Sequence, residues 1–153
     1  MLSTLLLILT LTAVPAPKVT AILPSAALLQ ADSASLLAKT WVLRETLRQQ
    51  EGKLEPVLPV EEMRLAFRAD GTYRLSRISQ VPNAVNGIAS VEEGTWTLEA
   101  ERGLIGMQTT RVDGRPMPHM MLYRWQVQEL TPDQLVLQQS RLQGQYLVLE
   151  AAP

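Results

Sequence analysis

The sequence predicts an all-β fold: an eight-stranded antiparallel meander β-barrel behind a short N-terminal helix. Three observations predict it. Leu65-Ala-Phe-Arg-Ala-Asp-Gly-Thr-Tyr-Arg-Leu75 alternates apolar and polar residues on both sides of an Asp-Gly pair, as a hairpin with one buried face requires. Further alternating runs follow it, each ended by a turn signal and none interrupted by a helical period. The three tryptophans, Trp41, Trp96 and Trp125, fall in three different runs, as anchors of one shared core would. A meander of this size closes most economically as a barrel, because closure removes both unpaired edges.

The elements follow in order. Residues 5–14, Leu-Leu-Leu-Ile-Leu-Thr-Leu-Thr-Ala-Val, are apolar and end at Pro15 and Pro17. That run is too short to span a bilayer as a helix and reads as the core of a secretory signal peptide. Small residues at the -1 and -3 positions place cleavage after Ala21, or as late as Ala27. The rival is an uncleaved amphiphilic anchor or a mis-assigned start. Residues 1–21 are thus the expected signal peptide, 22–35 a linker and 36–153 the domain.

Asp32 or Ser33 is suited to cap a helix through residues 35–39, and the first strand starts near Trp41, with Leu43 and Leu47 on its face. Gly52, Pro56 and Pro59 make residues 49–61 a loop. The hairpin follows, with Phe67 and Tyr73 facing inward. Residues 80–89, with Pro82, Asn83, Asn86 and Gly87, are read as a second loop in preference to a small hairpin. A fourth strand spans 90–100 with Trp96 and Leu98 on one face, and a fifth spans 104–112 with Ile105, Met107, Thr109 and Arg111 together. Asp113-Gly114 repeats the turn chemistry of Asp70-Gly71. Pro116 and Pro118 have no N–H to give a ladder, which delays the sixth strand to about Met120; its Tyr123, Trp125 and Val127 alternate with polar residues. The seventh and eighth strands occupy 134–140 and 145–150.

Composition narrows the function. Fourteen basic and fifteen acidic side chains nearly balance, giving no electrostatic reason to bind nucleic acid or an anionic membrane. Cysteine is absent, which removes disulfides, thiol nucleophiles and cysteine-based zinc sites. An outer-membrane barrel needs an apolar outer face, whereas Arg64, Arg68, Arg74, Arg124 and Gln126 lie opposite the apolar sets, so no stable membrane insertion is expected.

The residues also carry a family likeness. Leu37-Ala-Lys-Thr-Trp-Val-Leu43, Leu65-Ala-Phe-Arg-Ala-Asp-Gly-Thr-Tyr73, Gly94-Thr-Trp-Thr-Leu98 and Trp125-Gln-Val-Gln-Glu-Leu-Thr131 with Leu135-Val-Leu137 resemble the bacterial lipocalin-like domains, small barrels of the calycin type. The likeness covers residues 36–150, with Lys39 where that family usually has Gly. It implies an eight-stranded barrel, open at one end, that holds an apolar ligand.

Little in the chain points to catalysis. His119, the only histidine, has no second imidazole or thiol to share a metal and reads as a solvated loop residue. No serine lies in a nucleophile elbow. Asp70 and Asp113 are explained by their turns. Glu92 and Glu93 point to opposite faces of one strand and read as solvated. Met107, Met117, Met120 and Met121 are suited either to an adaptable cavity or, more commonly, to filling core gaps. Strict alternation turns Arg77 and Arg111 inward near the barrel mouth, where an arginine must find an anion or reach water. The expectation is therefore a secreted or periplasmic, non-enzymatic protein with no cofactor. It binds a small apolar or amphipathic ligand against Leu43, Phe67, Tyr73, Trp96, Met107 and Trp125, with Arg111 as polar anchor. The alternative is a filled barrel that binds another protein through its loops, with no small ligand.

Overall fold

A computed structural model describes residues 33–57, 61–79, 88–139 and 144–153. The expected signal peptide and most of the expected linker lie outside the described residues. Helix α1 is Ser33–Leu37, two residues earlier than the sequence suggests. Nine strands follow: β1 Thr40–Gln50, β2 Lys53–Val57, β3 Glu61–Phe67, β4 Thr72–Ser79, β5 Ile88–Glu99, β6 Leu104–Val112, β7 Arg115–Leu130, β8 Gln134–Gln139 and β9 Gln145–Ala151. All pairings between neighbours are antiparallel, and β1 pairs with both β3 and β9, so β1 and β3–β9 close an eight-stranded barrel. The predicted fold class is the one observed.

The ninth strand corrects the loop expected over 49–61. Glu51 and Gly52, with φ of 49° and 80°, turn the chain in two residues, and β2 runs back along the outer half of β1. Pro56 is tolerated because β2 is the terminal strand of the sheet and can leave one backbone edge undonated. Of the loop expected over 80–89, residues 80–87 lie outside the described residues, and Ile88 and Ala89 already belong to β5.

The Asp70-Gly71 turn also differs from a two-residue turn. Only Gly71 has positive φ, at 81°. Gly71 N–H donates to Arg68 O at 3.1 Å and Arg68 N–H to Thr72 O at 2.9 Å, giving a longer hairpin loop that ends in a left-handed glycine. Asp70 Oδ1 accepts from Thr72 N–H at 2.9 Å and from its hydroxyl at 2.6 Å, and these bonds hold the Asp70 carboxyl below its ordinary range. At Asp113-Gly114 both φ are positive, 51° and 76°, and the expected two-residue turn is present.

Strand β7 starts at Arg115, earlier than the prolines suggest. Their effect appears instead as an offset: Arg111 pairs with Pro116 but Thr109 with Met121, so residues 117–120 oppose Thr110 alone.

One rim of the barrel is closed by α1. Trp41 Nε1 donates to Leu37 O at 3.1 Å, and Trp96 Nε1 donates to Arg68 O at 3.0 Å. The Phe67 and Trp96 rings sit 5.0 Å apart at their centroids. Lys39 Nζ lies 5.3 Å over the Trp41 ring and donates to Pro132 O at 2.8 Å. All three tryptophans are buried, with Leu65, Leu75, Ile105, Leu135, Leu137 and Leu149 completing the core. In β1 an irregularity between Leu43 and Glu45 makes Thr46, rather than Leu47, the next buried side chain.

Candidate functional site

Strands β4, β5 and β6 run side by side toward the rim opposite α1, and their inward positions are not all apolar. Alternation along β4 from Tyr73 through Leu75 brings Arg77 inward. Alternation back along β5 from Trp96 through Gly94 brings Glu92 inward, where it is 6% exposed. Thr109 is fully buried on β6.

These side chains are joined. Arg77 Nη1 donates to Glu92 Oε1 at 3.1 Å, Thr109 Oγ1 lies 3.4 Å from Glu92 Oε2, and Tyr73 Oη lies 2.5 Å from Thr109 Oγ1. The last contact exists because Tyr73, Gly94 and Thr109 stand in one row across the three strands. Gly94 has no side chain, so the phenol can reach across β5. The Arg77 guanidinium also lies 5.9 Å from the centre of the Tyr123 ring.

Burial pushes the Tyr73 hydroxyl up to about 12; the Glu92 charge adds to that effect, and the Thr109 hydrogen bond opposes it. Tyr123 is raised by burial first and by the Glu92 charge second. Among the described residues, two buried donors have no partner: Arg77 Nε and Trp125 Nε1. The Tyr123 hydroxyl lies 3.9 Å from the Met121 sulfur and also interacts with Glu92 and Arg77.

Of the side chains picked out from the sequence, Phe67, Tyr73, Trp96, Met107 and Trp125 are buried in the barrel core, and Leu43 packs half-buried against it. Arg111 is not with them. Thr110 is an extra residue on β6, since Glu93 pairs with Arg111 but Gly94 with Thr109. The bulge breaks the alternation and Arg111 is exposed, so the arginine that turns into the barrel is Arg77.

Glu92, read as solvated, is the buried anion, and its signal was the unbroken count from Trp96. Glu93 is the outward member and pairs with Arg74 at 3.3 Å. Of the methionines, Met107 is core, Met121 half-buried and Met120 65% exposed, so they do not line one cavity. His119 is exposed, and no group of three or more His, Cys, Asp or Glu among the described residues could hold a metal.

The described residues also line two hollows; the first reaches Met107 and Tyr123, and both reach Trp96. One of about 180 Å³ lies on the outer face over Gly106, among Thr95, Thr97, Gln108, Leu122 and Arg124. The other, about 490 Å³, lies beside α1 among Ala34, Ala38, Ala69, Gly71 and Leu98. Neither includes Arg77, Glu92 or Thr109, so neither is the place where the barrel's charge chemistry sits. No family model matches the chain, and no curated protein matches it either.

Proposed function

We propose that this chain is a lipocalin-like binding protein, not an enzyme, that holds a small apolar or amphipathic molecule in its barrel and works in a secreted or periplasmic setting. The observation that carries the reading is the buried Nε of Arg77, which has no hydrogen-bond partner among the described residues, inside a barrel whose core is mostly apolar. A guanidinium donor in such a place is costly unless an acceptor meets it, and a ligand oxygen is one.

Partial exposure of some inward side chains supports it: Arg77, Met121 and Tyr123 are only partly covered, although Met63 and Glu92 beside Arg77 are buried. Burying ~300 Å² of ligand at ~25 cal/mol per Å² gives roughly 7.5 kcal/mol before association costs, so micromolar or weaker affinity is expected. The outward faces of β3, β4 and β7 carry Arg64, Arg74 and Arg124, all exposed, which fits water better than lipid. Among the described residues no helix is long and apolar enough to cross a membrane.

The second reading, a filled barrel that docks another protein, draws on the same fully buried layer: Trp41, Leu65, Leu75, Ile105, Leu137 and Leu149 leave little space around them. Native mass spectrometry separates the two, on protein purified from its host's secretory compartment and on the same protein after delipidation. An adduct removed by delipidation supports the ligand carrier; a bare mass in both samples supports the docking module.

A further inference from the structure

Resting on the reading of a ligand-binding barrel, the geometry points to the chemistry of the ligand's head: we infer that the polar cluster selects an uncharged group offering only a hydrogen-bond acceptor, such as an ester or ketone oxygen, and that Glu92 excludes carboxylates. The donor of the cluster still to be met is Arg77 Nε, and it asks for an acceptor. The positive charge of Arg77 is not free to attract an anion, because Glu92 already holds it at 3.1 Å. Glu92 is in turn fixed by Thr109, which Tyr73 backs. The cluster is therefore neutral as built, with one donor still open, and closed to further negative charge. A carboxylate brought to that donor would add a second anion beside Glu92 in a medium that screens poorly.

The inference is tested by titrating methyl laurate and laurate, both below their aggregation limits, into the wild-type chain, with Trp96 and Trp125 fluorescence as the readout. The same two probes are titrated into E92Q and E92L, made together so that one folded variant, checked by circular dichroism, is enough. The expected result is an ester affinity at least roughly tenfold above that of laurate in the wild type, a gap that closes or inverts once Glu92 is gone, since Arg77 then needs an anion. Equal or tighter laurate binding by the wild type overturns the inference while leaving the carrier reading intact. An ester preference that the folded variant retains also overturns it, because dehydration of the carboxylate alone then explains selectivity. Binding of neither probe to the wild type counts against the carrier reading itself, and the inference falls with it.

Discussion

Gly94 on β5 lies so close to Gln108 on β6 that a Cβ built on it would overlap the Gln108 carbonyl oxygen and lie 2.8 Å from the carbonyl carbon and 3.0 Å from Thr109 Cα. The close approach coincides with the bulge at Thr110, so one glycine serves two ends. It lets the two backbones draw together where the ladder changes register, and it leaves open the lane through which Tyr73 reaches Thr109. Backbone atoms cannot move aside as a flexible side chain can.

Gly94→Ala is accordingly expected to cost about 3 kcal/mol or more, measured as a fall in the urea midpoint. Gly106→Ala is the control on the neighbouring strand. Its Cβ would meet only Thr97 Oγ1, at 3.1 Å, which can rotate away, so a change below about 1 kcal/mol is expected. Equal losses at the two sites would remove the close approach as the cause.

The Tyr73–Thr109 bond predicts an asymmetry. Tyr73→Phe leaves Thr109 still directed at Glu92 and is expected to cost about 1 kcal/mol. Thr109→Val strands the buried Tyr73 hydroxyl and removes a partner of Glu92 in one step, so about 2 kcal/mol or more is expected. The double variant should lose less than the sum, because the second change removes a group already orphaned. Urea denaturation of the three variants measures all of this, and a larger loss in Tyr73→Phe than in Thr109→Val would contradict the network.

Tyr73 also sets an alkaline limit. Its hydroxyl is raised from 10.0 in the unfolded chain to about 12 in the barrel, so the proton is held more tightly when folded. The stability this contributes is fully present below pH 10 and is lost as pH rises through the folded value. The wild type should therefore lose stability relative to Tyr73→Phe between about pH 10 and about 12, and the difference between the two should be constant below that window. Parallel urea midpoints on either side of the window check it; curves that stay parallel throughout would show that the Tyr73 proton is not linked to folding.

Most of the barrel was legible because period-2 alternation and turn residues are local signals. Trp41, Phe67, Tyr73, Trp96, Met107 and Trp125 could be placed inside by counting along a single strand. What failed was everything that depends on a neighbouring strand. The extra Thr110 that turns Arg111 outward is visible only in the offset of β6 against β5 and β7. Strand β2 was hidden by a Glu-Gly turn in place of Asn-Gly or Asp-Gly and by a proline that only a terminal strand accommodates. Glu92 is a different case. Its inward direction followed from Trp96 two steps at a time, and it was passed over because a carboxylate in an apolar barrel is credible only once Arg77 is known to stand on the adjoining strand.

The Arg77–Glu92 pair makes the sharpest prediction about what stabilises the barrel and what does not. Both side chains are largely covered, at 23% and 8% exposed, so each has given up most of its water and depends on the other. Removing one partner leaves the other charge stranded: Arg77→Met leaves Glu92 with only the neutral Thr109 and Tyr123 hydroxyls beside it, at an expected cost of about 3 kcal/mol. Glu92→Leu should cost less, because the partly exposed guanidinium can turn toward the rim and keeps the Tyr123 face. Replacing both, Arg77→Met with Glu92→Leu, removes the ion pair and the need for it, and is expected to return the chain to within about 1 kcal/mol of the wild type. Thermal unfolding of the four proteins gives the coupling directly. A double variant as unstable as Arg77→Met would mean that the pair holds the fold together; recovery of stability would mean that the barrel stands without it.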